Sequence, residues 1–244
     1  MFTIIGLGGS ASNIVKKFDR KEYEIILTGC DDFDESFIGC KCIPYKNLYF
    51  SEFNDDPENG DYVIDSIKDE IIKSIHNQYV IIVSCVGSRI SGGLAYLVML
   101  LEDMGKDVNV VIQSPSKFEG ERRMNNYDYV LDNLKVVTNK FVCLDSKELY
   151  KKAHKGTLIT EWFQLLDEEL SKMIRNEIRK ILYKEDYEKR IKYFEEQKMI
   201  EKEMSLLKLK IDEGTATNEE IERFKELEEL SHKEYVFIDE KWLE

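Results

Sequence analysis

The stretch VSCVGSRISGGLAYLVMLLEDMG, residues 83–105, decides the fold. It opens on the end of an apolar run, YVIIV, that lacks polar alternation. Such a run reads as a strand buried on both faces of a sheet. A loop with Gly87, Gly92 and Gly93 follows, and then an apolar helix predicted over residues 92–104. A strand, a glycine loop and a helix N-terminus together make a phosphate cradle. Free backbone N–H groups and the helix dipole favour an anion, and glycine lets the backbone approach it. This loop also carries Ser88, Arg89, Ile90 and Ser91. Arg89 either adds positive charge to a cradle that binds without turnover or obstructs it.

A second loop of the same kind, GLGGSASN at residues 6–13, follows the strand FTIIG. Gly6, Gly8 and Ala11 fit the G-x-G-x-x-A dinucleotide fingerprint. Asp31, after the strand EIILTG, is then the candidate acceptor for a ribose hydroxyl. A dehydrogenase of that type uses one glycine loop, whereas this chain has two. Two loops converging at the carboxyl ends of a parallel sheet suit a nucleotide with several phosphates. The NAD reading also lacks a catalytic partner, because His76, His154 and His232 stand in helical or linker contexts with no metal or nucleophile pattern.

Outward from these loops, strands and helices alternate. NVVIQS and KFVCL read as further strands, and Pro115 follows the first of them where a turn is expected. A short helix is predicted over residues 14–18. Another over residues 62–75 carries Val63, Ile64, Ile67, Ile71 and Ile75 at helical spacing. A third over residues 160–183 has the stripe Phe163, Leu166, Leu170, Ile174 and Ile178. The pattern predicts an α/β fold, a Rossmann-like parallel sheet covered on both faces.

Composition changes near Tyr183. Ile200, Met204, Leu207 and Ile211 form one stripe, and Ile221, Phe224, Leu227 and Leu230 another. Between them Gly214 suits a helix end, and Thr217 with Glu220 makes a capping box. We expect a charged antiparallel helical hairpin at 184–244, either a solvated surface or a partner-binding or self-associating coiled coil, behind a nucleotide-binding domain at 1–183.

The net charge of -13 opposes a general role on nucleic acid or anionic membrane. No apolar run approaches the ~20 residues that span a bilayer. The start, MFTIIGLGG, lacks the basic and long apolar regions of a signal peptide. Five cysteines, with one CKC pair at Cys40 and Cys42 and no second pair, read as reduced thiols of a cytoplasmic protein and not as a zinc site.

After the fourth strand comes SPSKFEGERRMNN. Strand-GGSASN, strand-GSRISGG and KFEGERRM, in that order, resemble the nucleotide-binding half of FtsZ, a tubulin relative. FEGERRM is the most specific piece, since the family has FEGKRRM there. The resemblance covers roughly residues 1–183 and implies GTP or GDP as ligand, with Mg2+ as an optional companion. It implies that Gly8, Gly9 and Asn13 lie along the first phosphate loop and that Gly87, Ser88, Ser91, Gly92 and Gly93 form the signature loop. Glu119 would bond the ribose, and Arg123 would reach the sugar or phosphates. Asp167 or Glu168, in FQLLDEEL, would accept from the guanine N1–H and 2-amino group.

Departures are as informative. The family signature GGGTGTG is GSRISGG here, and only Gly87 and Gly93 match in register. The first loop has Ser10, Ala11 and Ser12 where the family has glycines. The base-contacting Asn after the fifth strand is replaced by Asp145 or Ser146. The acidic loop NxDxxD, which acts on the neighbouring subunit's nucleotide, gives way to KEDYEKR, with Asp186 a faint substitute. The family's second domain is not expected in the residues that follow. The resemblance therefore implies guanine-nucleotide binding with little or no hydrolysis, and self-association or pairing with a full-length FtsZ/tubulin-like protein. The alternative is a scaffold that has lost nucleotide and acts through its helical tail.

Overall fold

The computed structural model describes residues 1–29, 38–45, 56–152 and 156–232. They divide into two compact units, Met1–Arg175 and Asn176–Glu244. Asp31 of the dinucleotide reading and His154 lie outside the described residues.

In the first unit the strands are β1 (Phe2–Leu7), β2 (Tyr23–Gly29), β3 (Lys41–Pro44), β4 (Tyr79–Cys85), β5 (Asp107–Gln113) and β6 (Phe141–Leu144). Among the described residues they form one sheet in the order β3-β2-β1-β4-β5-β6. Every pairing is parallel, as the unbroken apolar runs require. The order reverses between β1 and β4, and at such a switch point an open α/β sheet leaves a crevice beyond its carboxyl ends. The short edge strand β3, KCIP, was not foreseen, because four residues with one buried side chain, Ile43, carry no periodic signal.

Alternation along the strands splits the core. Ile5, Leu7, Ile26, Ile82, Val110 and Ile112 face one side with helices α2 (Gly60–Lys73), α4 (Leu94–Asp103) and α5 (Glu121–Val137). Ile4, Leu27, Ile81, Val83 and Val111, all fully buried, point to the opposite side. Each such side chain contributes about 1.5–3 kcal/mol by leaving water. Helix α1 (Gly9–Val15) lies against β1, β2 and β4. It starts earlier and ends earlier than the spacing predicted. Helix α5 was not predicted at all, because its polar sequence, ERRMNNYDYVLDNLKVV, buries only Asn126, Val130 and Leu134.

The glycine loop after β4 holds a separate turn, α3 (Arg89–Gly92), before α4, so the expected single helix is two pieces. Beyond β6 come α6 (Ser146–Lys152) and α7 (Ile159–Asp212). The apolar face of α7 in the first unit is Trp162, Leu166, Leu170 and Ile174, all buried, while Phe163 is exposed. Trp162 takes the place expected for Phe163, and its indole N–H donates to Ser116 Oγ at 3.0 Å. The arginine of Arg175 stacks 5.1 Å over the Phe18 ring.

In the second unit α7 turns at Gly214 into α8 (Asn218–Ser231). The Thr217–Glu220 capping box is present. Lys210 bonds Glu220 at 2.5 Å and Arg223 bonds Glu203 at 3.0 Å. Those partners run in opposite directions, so the two helices are antiparallel, and Leu227 on α8 is buried. Among the described residues no helix is long and apolar enough to cross a membrane.

Candidate functional site

The two glycine loops meet. Gly8 has φ 90, a conformation that favours glycine, and a Cβ placed there would lie 3.3 Å from Ile90 Cγ2 and 3.8 Å from Ser88 Oγ. The first loop is held down by β2: the Gly8 N–H donates to Thr28 Oγ1 at 3.0 Å, and the Thr28 hydroxyl lies 3.1 Å from the Gly6 carbonyl. The Ser12 hydroxyl sits within 3.0 Å of the Gly6 carbonyl and 2.9 Å of the Thr28 carbonyl. Gly6 lets α1 come down on the strand, since a Cβ there would meet Ser12 Cα at 2.8 Å. Gly9 and Asn13 are exposed, and nothing lies within 4 Å of a Cβ placed on Gly9.

The second loop is anchored from within and from α5. The Gly87 N–H donates to Ser91 Oγ at 3.2 Å, the Ser91 hydroxyl donates to the Ser88 carbonyl at 2.5 Å, and Asn126 Nδ2 donates to the Gly87 carbonyl at 3.3 Å. Ile90 is buried in the main core beneath both loops. Gly92 and Gly93 are closely packed on their Cβ side. A Cβ on Gly92 would fall 1.8 Å from the Pro57 carbonyl oxygen, and one on Gly93 2.4 Å from that of Gly60. These glycines let the loop close against the Pro57–Gly60 turn.

The residues of FEGERRM fold over the second loop. Glu119 ends a short 3-10 turn, Lys117–Glu119, and caps it: Ser116 N–H donates to Glu119 Oε1 at 2.7 Å. Its other oxygen accepts from Arg123 Nη1 at 2.6 Å. The Arg123 stem rests on Gly87, 3.4 Å from the position of a Cβ there. Glu119, Arg123 and Asp167 all act on the Cys85 thiol at the carboxyl end of β4. Burial first, then the Asp167 and Glu119 carboxylates, push that thiol up to about 12, against the opposing Arg123 charge.

The groups expected at a base separate into two hollows. Asp167 and Glu168 line one of about 400 Å³ with Lys17, Gln164, Ser171 and Arg175. Lys17 Nζ bonds Asp167 Oδ2 at 2.9 Å. Asp145 and Ser146 line another of about 450 Å³, with Ser116, Phe118 and Tyr150. Ser146 is buried and donates to the Ser114 carbonyl at 2.5 Å, while Asp145 accepts from the Lys147 N–H at 2.8 Å. Both hollows are within the range of small-molecule sites.

Sequence reasoning missed Thr28, Asn126 and Lys17. Thr28 was legible in principle, because it stands next to Leu7 in the parallel register. Asn126 and Lys17 had no signal, since each acts on a residue distant in sequence.

No protein-family model matches the chain, and no curated protein matches it in sequence. Solved structures do match in shape. An FtsZ dimer from M. jannaschii has a TM-score of 0.61 at 20% identity, covering 71% of this chain and 52% of that one. CetZ2 from Haloferax volcanii, a GTPγS-bound protofilament, has 0.60 at 16% identity, covering 72% and 57%. The PhuZ201 filament has 0.56 at 12% identity, covering 72% and 54%. The chain thus spans little more than half the length of these structures, and at such identities the likeness concerns the fold. With its parallel sheet, its two abutting loops and its long following helix, the chain has the fold of the FtsZ/tubulin nucleotide-binding domain.

Proposed function

We propose that residues 1–183 bind GTP or GDP, that turnover is weak or absent, and that the chain is a cytoplasmic cytoskeletal-type element pairing with itself or with a full-length relative of the same fold. Residues 184–244 serve as its charged helical tail. The observation that carries the reading is the meeting of the two strand-to-helix loops beside Glu119, Arg123 and Asp167. Gly8, Gly9 and Asn13 would lie along the phosphates with Gly87, Ser88, Ser91, Gly92 and Gly93. Glu119 and Arg123 would take the sugar, and Asp167 or Glu168 the base. The open space above Gly9 fits such a ligand. The solved CetZ2 relative carries GTPγS, and the FtsZ and PhuZ relatives are a dimer and a filament.

Weak turnover follows from the segment KEDYEKR. It lies within α7 and not on a loop, and Asp186 there is buried and paired with Arg190. Among the described residues no group of three His, Cys, Asp or Glu side chains is placed to hold a metal ion, and this reading uses no step through Mg2+.

Titration calorimetry of the full chain with GDP, GTP and ADP tests the reading. Guanine nucleotides are expected to bind more tightly than ADP, and no heat at millimolar nucleotide would remove the proposal. The scaffold reading draws on a different observation: the Lys17–Asp167 pair and the Glu119 cap satisfy the recognition groups without any ligand. It expects partner capture to be indifferent to Arg123→Ala, which the nucleotide reading expects to weaken it.

A further inference from the structure

We propose that α7 pairs antiparallel with α7 of a second copy of this chain, through a stripe formed by Tyr183, Tyr187, Ile191 and Phe194. These side chains are 52%, 65%, 41% and 62% exposed. Their spacing of four, four and three places them along one narrow side of the helix. It is not the side that meets α8, where Met204, Leu207 and Ile211 are half-buried. A contiguous exposed row of large apolar groups, three of them aromatic, marks an interaction surface.

The sequence of the stripe says which partner it fits. It reads nearly the same in both directions about residue 189. A two-fold axis there sets Tyr187 against Ile191 of the second copy and brings Tyr183 within one residue of its Phe194. Isologous contacts require this self-complementarity, and contacts with an unrelated protein do not. The charges agree. Lys184 and Glu195, both exposed, flank the same edge of the stripe and come within one residue of each other across the axis. Lys189 and Lys192 stand among Glu185 and Glu188, so the overall charge of -13 is not concentrated on this segment.

Four partly exposed side chains per copy bury less than the ~1,200 Å² typical of stable complexes, so the pairing depends on concentration. It does not rest on nucleotide binding, because every residue involved lies in the second unit.

Sedimentation equilibrium of the full chain without nucleotide, over a range of concentrations, tests the proposal. A monomer–dimer equilibrium is expected, with a dissociation constant raised at least about tenfold by Tyr187→Lys with Phe194→Lys. These exposed positions should leave thermal melting unchanged, so loss of pairing is separable from loss of fold. Lys184→Glu should weaken the dimer, and adding Glu195→Lys should restore it. A monomer at all concentrations overturns the proposal, and so does association unmoved by the double lysine variant. Failure of Glu195→Lys to rescue Lys184→Glu overturns the antiparallel arrangement.

Discussion

Lys17 and Asp167 stand 150 positions apart in sequence and 2.9 Å apart in space, tying the turn after α1 to α7. The carboxylate expected to read a guanine edge is thereby engaged by a cation. Both groups are partly exposed, and such pairs contribute about 0–1 kcal/mol. A ligand could therefore displace Lys17 at little cost.

Lys17→Met is expected to leave thermal stability nearly unchanged and to tighten GDP binding by up to about fivefold, the equivalent of 1 kcal/mol. Calorimetry of the variant beside the parent measures it. Weaker GDP binding would show that Lys17 contacts the nucleotide and does not compete with it.

Gly92→Ala should be costly, because the added methyl meets the Pro57 carbonyl oxygen, a backbone atom, at 1.8 Å. Overpacking of this kind costs about 1–3 kcal/mol, and each kcal/mol lowers Tm by roughly 2–4 °C in a domain of this size. Gly9→Ala, with open space around it, is expected to leave Tm unchanged or slightly raised, because alanine favours a helix. Equal losses for the two variants, read by circular dichroism melting, would contradict the packing role of Gly92.

Glu119 has a structural duty besides any ligand contact. Glu119→Ala loses the capping box and should destabilise the chain by about 1 kcal/mol in urea unfolding. Glu119→Gln keeps an oxygen for the Ser116 N–H and should be milder. If the two variants unfolded at the same urea concentration, the cap would carry no stability.

Cys85 should be inert. Its thiol is pushed up to about 12 by burial and by the Asp167 and Glu119 carboxylates, so almost none is thiolate at pH 8. Iodoacetamide mapping at pH 8 is expected to modify Cys40 well before Cys85. The folded state holds this proton more tightly than the unfolded chain, whose thiol titrates near ~8.5. The associated stability is complete below that pH and is lost as pH rises toward about 12. Denaturant midpoints that rise across this alkaline range would argue against it.

The apolar runs YVIIV and NVVIQS and the two glycine loops determined, from sequence alone, a parallel α/β sheet with its crevice at the carboxyl ends. Continuous burial on both faces leaves no other arrangement for such strands, and period-2 and period-3.6 patterns are local properties of a chain. The order of the loops and FEGERRM pointed to the fold that the solved structures share. Trp162 replacing Phe163 on the buried face of α7 was not legible, since both are aromatic and adjacent, and only the reach of the indole to Ser116 decides between them. What tertiary structure alone decided is which glycine faces what and which charge meets which. Gly92 and Gly93, read in sequence as part of a phosphate loop, also press on Pro57 and Gly60, and Asp167 also holds Lys17. Contacts across such separations depend on how helices come down on the sheet, a property of the packed whole that local sequence does not encode.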